Sequence, residues 1–167
     1  MLIFRDDDAP IHDVKDFIFV HELLSKYNRV HTVALICRNL DRYPKYIDYI
    51  KNRVAEFDLQ FHCLDHIDHT QNHDIIFNQF AEGTEIFFNV FGFRPTVWYP
   101  TWNLCDEYSI NAAANFGMET SFKKYSLSQV IRKPGAIDGV INFHHWSKEE
   151  REQLEPALIA LNDINNL

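Results

Sequence analysis

The sequence predicts an α/β fold built on a parallel sheet. Short β-branched and apolar runs alternate with amphipathic stretches along the 167 residues. No linker, low-complexity tract or internal repeat interrupts that alternation. Side chains of the kind that bind metals or move protons recur where the apolar runs end. Strand–helix alternation implies parallel strands joined by right-handed crossovers, and the length suits one domain, 1–167, around one substantial core. About six strands are readable, and a seventh if one hides in 123–138. This favours a small, incomplete barrel or an open doubly wound sheet.

The elements follow in order. Residues 2–5 form a short buried strand that runs into Asp6-Asp7-Asp8-Ala9-Pro10. From Val14 to Tyr27, Val14, Phe17, Ile18, Leu23 and Leu24 recur at helical spacing, with Asp13 as N-cap. Val30 to Cys37 is a second strand. Asp41 to Phe57 reads as a helix with Tyr46, Ile47, Ile50 and Val54 on one face. Residues 58–62 form a third strand ending in His62, and a histidine-rich loop covers 62–73. Asp74 to Phe91 is a helix that Gly83 weakens and Gly92 stops. Thr96 to Tyr99 is a fourth strand, entered through Arg94-Pro95. Glu107 to Phe116 is helical, and Met118 to Phe122 is a fifth strand. Gly139 to Phe143 is a strand ending in His144-His145. A helix follows from Lys148 to Ile164, which Pro156 should restart or kink.

Composition narrows the function classes. The net charge of −8 argues against a polyanionic partner such as nucleic acid. No window is long and apolar enough for a transmembrane helix, so no membrane association is expected. The N-terminus carries no signal-peptide pattern, and the reading is cytoplasmic. Three cysteines without metal-knuckle spacing fit reduced thiols better than a disulfide framework.

Parallel strands bring their carboxyl ends to one face, so residues ending the first, third and last strands can share a cleft. Those are Asp6, Asp7 and Asp8, then His62, then His144 and His145. An acidic triplet alone suits a solvated turn. Directly after an apolar strand, it also suits a bound cation. His62 and His66 have four-residue spacing, which puts two imidazoles on one side of a helical turn. His69 and His73 repeat that spacing, so the pair is ambiguous, and His62 is favoured because it ends a strand. Arg94 beside Pro95 can hold a carboxylate in a bidentate contact or lie on the surface. One of His144 and His145 can serve as a general acid near neutral pH. Zincin, serine-hydrolase, P-loop and dinucleotide-binding signatures do not occur.

Asp7-Asp8-Ala9-Pro10, His62-x-x-x-His66, Phe93-Arg94-Pro95 and Ile141-Asn142-Phe143-His144 occur in that order. Together they resemble the polysaccharide deacetylase family, also called the NodB-homology domain or carbohydrate esterase family four. The resemblance spans Phe4 to Trp146. It implies a small, distorted (β/α) barrel of about six to seven parallel strands with a divalent metal, commonly zinc, at the strands' carboxyl face. It implies that Asp8, His62 and His66 bind the metal, Asp7 is the general base, Arg94 holds Asp7, and His144 protonates the leaving amine. A backbone N–H near Tyr99 would help the metal stabilise the oxyanion. The implied reaction is removal of an N-acetyl group from an amino sugar or polysaccharide. Relatives that hydrolyse other non-peptide C–N bonds in small molecules give a second reading. A silent carbohydrate-binding module, using Trp98, Trp102 and Trp146, gives a third. Ala9 stands where the family has glycine, and Cys63 where it has serine or threonine. No counterpart of the acid that orients the last histidine is recognisable, Asp138 being a poor substitute. Oligomeric state is not readable.

Overall fold

The computed structural model describes residues 2–11, 13–38, 40–71, 73–121 and 124–165. Seven parallel strands form one sheet in the order β5-β4-β3-β2-β1-β7-β6. They are β1 (Ile3–Ala9), β2 (His31–Ile36), β3 (Phe57–Cys63), β4 (Val97–Trp98), β5 (Glu119–Thr120), β6 (Lys124–Ser126) and β7 (Val140–Phe143). The helices are α1 (Val14–Lys26), α2 (Pro44–Lys51), α3 (His73–Phe91), α4 (Glu107–Asn115), α5 (Leu127–Arg132) and α6 (Lys148–Asn165). The seventh strand is β6, inside the stretch 123–138. The expected end of the fifth strand, Phe122, lies outside the described residues.

The sheet curls into a half-barrel, and the connectivity requires it. The edge strands β5 and β6 are joined by three residues, which span at most about 14 Å. Laid flat at a strand spacing of about 4.8 Å, the edges would stand roughly 29 Å apart. The side chains show the same closure. Tyr99 and Val97 from the β4 segment share a cluster with Val140 of β7, Ile3 of β1 and Ala34 of β2. In the sheet order β4 and β7 are separated by three strands, so only curvature brings them together. The opposite face packs on the helices. Val33, Leu35, Leu59 and Phe61 meet Phe17, Tyr46, Ile76 and Phe80, while Phe4, Ile141 and Phe143 meet Leu24, Leu154 and Leu158.

Local chemistry explains where the elements depart from expectation. The helix expected over 41–57 divides into a 3-10 turn (Leu40–Arg42), α2, and a second 3-10 turn (Val54–Glu56). Pro44 has no N–H to donate and occupies the first turn of α2. Phe57 belongs to β3, paired with His31. Gly83 sits inside α3 for packing reasons: a Cβ there would lie 2.6 Å from Phe61 Cε2. Gly92 ends the segment with φ +81°, a conformation open to glycine at little cost. Asp13 caps α1 by accepting the Lys15 N–H. α6 runs through Pro156 without ending, held by the burial of Leu154, Ala157, Leu158 and Leu161. Among the described residues, no helix is long and apolar enough to cross a membrane.

Candidate metal and hydrolytic site

The acidic triplet is part of β1 rather than a loop after it. In a regular strand, Asp7 and Asp8 would face opposite sides of the sheet. A bulge prevents this. Asp6 pairs with Val33 and Ala9 with Leu35, so β1 spends one more residue than β2 over the same interval. Asp8 takes φ +66°, a left-handed conformation that aspartate tolerates better than most residues. Asp7 and Asp8 therefore line one cleft of about 360 Å³ with His62, His66, Asn142 and His144. Ala9 stays in the strand without a positive φ, so its place does not require glycine.

Asp8, His62 and His66 converge, with one ligand atom from each within 4.8 Å of the others. Asp8 Oδ1 lies 3.1 Å from Nε2 of His62 and 3.1 Å from Nε2 of His66. Burial works to raise the Asp8 carboxyl pKa, but the two histidines beside it outweigh burial and hold it well below the usual range. His62 is oriented from behind. Its Nδ1 meets the Tyr99 carbonyl at 2.6 Å, and a carbonyl only accepts, so Nδ1 carries the proton. A neutral ring in this tautomer points the Nε2 lone pair at Asp8. Asp8 Oδ1 is a buried atom with no hydrogen-bond partner. Two acceptors facing each other, one of them orphaned, suit a cation between them. One carboxylate and two imidazoles are a donor set that zinc accepts, so these residues fit a divalent metal.

The second-motif loop is fixed by Asp65. It receives a bidentate pair from Arg38, at 2.9 and 2.7 Å, and its N–H donates to Gln79 Oε1. The other histidines of the loop turn away. His69 is buried against Thr101, and His73 pairs with Asp106 at 2.6 Å.

Asp7 is held, but not by Arg94. Arg94 pairs with Glu85 at 3.0 Å with both side chains about half exposed. The reason is strand direction: Arg94 precedes β4, and the cleft lies at the strands' carboxyl ends. Arg5 makes the expected contact instead. Fully buried, its Nη2 donates to Asp7 Oδ2 at 2.8 Å and to Asn103 Oδ1 at 3.1 Å. Its guanidinium lies 4.6 Å from the centre of the Tyr99 ring, a cation–π distance. Asn142 Nδ2 also donates to Asp7 Oδ2, at 2.8 Å. Asp7 Oδ1 is left buried without a partner.

His144 lies across the cleft, its Nε2 3.8 Å from Asp8 Oδ2. The acid that orients it is Glu150, in the first turn of α6. Glu150 Oε2 accepts from His144 Nδ1 at 2.8 Å and from the His144 backbone N–H at 2.9 Å. Burial lowers the His144 pKa, but hydrogen bonding and charge from Glu150, with Asp7 and Asp8 behind it, carry the net shift upward. The Tyr99 N–H does not face substrate: it donates to Phe61 O at 2.9 Å. The turn after it reaches the cleft. Trp102 and Asn103 line it in consecutive left-handed conformations, φ +51° and +57°. Such outliers concentrate at functional sites. Trp102 is 56% exposed and sets its ring edge-on to His66 at 4.6 Å.

Arg5, Asn142 and Glu150 were not singled out from sequence. Arg5 and Asn142 stand two residues before Asp7 and His144, on the same strand faces, and that period of two is the signal that could have found them. Glu150 had a weaker signal, as an early acid in the helix after His144.

No protein-family model matches the sequence, and no curated protein does. Solved structures share its fold. A family 4 carbohydrate esterase from Streptomyces lividans, in complex with acetate, superposes with TM-score 0.80 at 13% identity, covering 98% of this chain and 88% of that one. The peptidoglycan deacetylase PdaC from Bacillus subtilis gives 0.75 at 14%, covering 99% and 83%. BA3943 from Bacillus anthracis, described as a CE4 family pseudoenzyme, gives 0.84 at 15%, covering 98% of this chain. This chain spans 61% of BA3943. The polypeptide thus has the distorted barrel of the family 4 carbohydrate esterases, as its motifs suggested.

Proposed function

We propose that this protein is a metal-dependent hydrolase that removes N-acetyl groups from an amino sugar or polysaccharide. One observation carries the reading. Asp8, His62 and His66 converge on one side of a cleft, with the free Oδ1 of Asp7 beside them and His144 across from them. A divalent ion, zinc foremost, held by Asp8, His62 and His66 would supply Lewis acidity toward an amide carbonyl and acidify a water.

The chain's own residues do the rest. Arg5 and Asn142 pin Asp7 Oδ2, which leaves Oδ1 to take the proton of the attacking water. His144, its Nδ1 donating to Glu150, gives the Nε2 proton to the departing amine nitrogen. Acetate and a free amine leave. The Tyr99 N–H is used in the sheet, so it does not meet the developing oxyanion. Trp102 and Trp146, both lining the cleft, offer flat surfaces to sugar rings.

The test is acetate release from N-acetylglucosamine oligomers by zinc-loaded protein, with metal content measured directly. Acetate is expected from the wild type and none from Asp7→Asn, whose metal content should be unchanged. Zinc at about a hundred times its Kd should stabilise the wild type by about 2.7 kcal/mol, and Asp8→Asn should lose that gain. The likeness to BA3943 favours a silent carbohydrate-binding reading as the alternative. Sugar binding that survives Asp7→Asn, with no acetate from any variant, would establish it instead.

A further inference from the structure

The cleft accounts for Asp7 and Asp8 but not for Asp6. Asp6 points to the opposite face of β1, toward His31 and His145, whose rings pack on Phe17, and has no exposure at all. Its neighbour on that face of β1 is apolar: Phe4, two residues earlier, is part of the core. Asp6 nevertheless accepts three hydrogen bonds. Its Oδ1 takes the His145 backbone N–H at 2.8 Å and His145 Nδ1 at 3.0 Å. Its Oδ2 takes His31 Nε2 at 3.2 Å.

His145 is also held from its far side. Its Nε2 lies 2.9 Å from the Ile11 carbonyl, a second anchor for the ring. Tyr46 Oη meets the same nitrogen. Arg151 Nη1 donates to the His145 carbonyl. A buried carboxylate–histidine pair is a poor way to gain stability, because an apolar pair of similar volume is often as stable or more so. Its location suggests what it does. His145 follows His144 directly; the N–H of the peptide joining them is held by Asp6, and the N–H of the preceding peptide, that of His144, by Glu150.

We infer that Asp6 is a positioning residue for the general acid: by clamping the backbone and ring of His145, it sets the angle at which His144 enters the cleft. This rests on the reading of His144 as the acid. The acidic triplet then holds three functions in sequence: Asp6 aims the acid, Asp7 acts as base and Asp8 binds the metal. A general acid contributes about 10²- to 10⁴-fold, and small misplacements of such groups cost about 10²-fold.

The test compares two substrates that differ in their need for an acid. An N-acetylglucosamine oligomer releases an amine that must be protonated. p-Nitrophenyl acetate releases a stable anion that needs no proton. Asp6→Asn, zinc-loaded, should lose at least about tenfold in kcat on the oligomer while staying within about twofold on the ester. His144→Ala should show the same selectivity. The Asp6→Asn/His144→Ala double variant should be no slower on the oligomer than His144→Ala alone, since both act through one group. Removing one partner of a buried polar pair can unfold a protein, so Asp6→Leu/His145→Leu, which removes both partners, is measured alongside and should behave alike. Equal losses on both substrates, additive losses in the double variant, or full oligomer turnover by either Asp6 variant would overturn the inference and leave the hydrolase reading standing. A wild-type protein that cleaves neither substrate would refute the hydrolase reading and, with it, this function for Asp6.

Discussion

Replacing Arg5 with glutamine separates two accounts of how Asp7 is held. Arg5 is fully buried and the Asp7 side chain is 4% exposed, at a distance of 2.8 Å. Removing the arginine leaves a buried carboxylate with Asn142 as its remaining donor, and breaking a buried pair from one side costs about 3–5 kcal/mol. For a chain of this size each kcal/mol moves Tm by about 2–4 °C, so Arg5→Gln should melt roughly 6–20 °C below the wild type. Acetate release should fall by about 10²-fold, because Asp7 loses its alignment. Arg94→Gln is the matched control. Its pair with Glu85 is 52% and 55% exposed, and such pairs contribute about 0–1 kcal/mol. Its Tm should fall by less than about 4 °C and its activity should not change. Thermal melts by circular dichroism and the acetate assay read both variants. An Arg94→Gln protein as damaged as Arg5→Gln, or an Arg5→Gln protein within about 1 kcal/mol of wild type, would refute the assignment.

Two further outcomes concern stability. His69 is buried, and burial pulls its pKa down from 6.5 to about 4. The unfolded chain therefore binds this proton first as pH falls, and stability is lost between about pH 6.5 and pH 4, by roughly 3 kcal/mol at the lower end. Urea titrations across that range should show His69→Phe with a correspondingly shallower decline, and parallel curves would refute the buried neutral ring. Gly83→Ala should destabilise by about 1–3 kcal/mol through overpacking, although alanine is the better helix former by about 1 kcal/mol. The close Phe61 ring is the cause, and Gly83→Ala combined with Phe61→Leu should recover part of the loss in the same urea titration.

The fold was legible because the barrel's repeating unit has a strong local signature. Each strand ahead of a helix is a β-branched or aromatic run, and the polar residues ending those runs mark one face. Asp8 and His62 stand at such ends, His66 follows His62 at four-residue spacing, and the structure brings the three together. The seventh strand was allowed for within 123–138, but its bounds were not readable. Lys124–Ser126 is three residues long, pairs only with β7 among the described strands, and carries no apolar alternation that a periodicity can detect. The break in the helix over 41–57 was signalled by Pro44, but helical spacing on either side concealed it. The bulge at Asp8 has no sequence signal beyond the aspartate itself. It nevertheless decides whether Asp7 and Asp8 face one cleft or two sides of the sheet.

Arg94 shows why a motif read without strand direction can mislead. Arg94-Pro95 is legible as the entrance to its strand, and only the leaving end of β4 reaches the cleft. At that end the chain has Tyr99, and the charge comes from Arg5 on β1. These two facts are linked. Curling places the inward side chains of β1 and of the β4 segment in contact across the barrel. A guanidinium rooted in β1 can therefore reach Asp7 from the interior, with the Tyr99 ring against its face. Arginine at both strand ends would set two buried cations together beside one carboxylate, a repulsion that Asp7 alone could not offset. One arginine and one aromatic ring satisfy the same space. In this chain the cation inside the barrel beside Asp7 is Arg5, and the β4 segment contributes the ring against it.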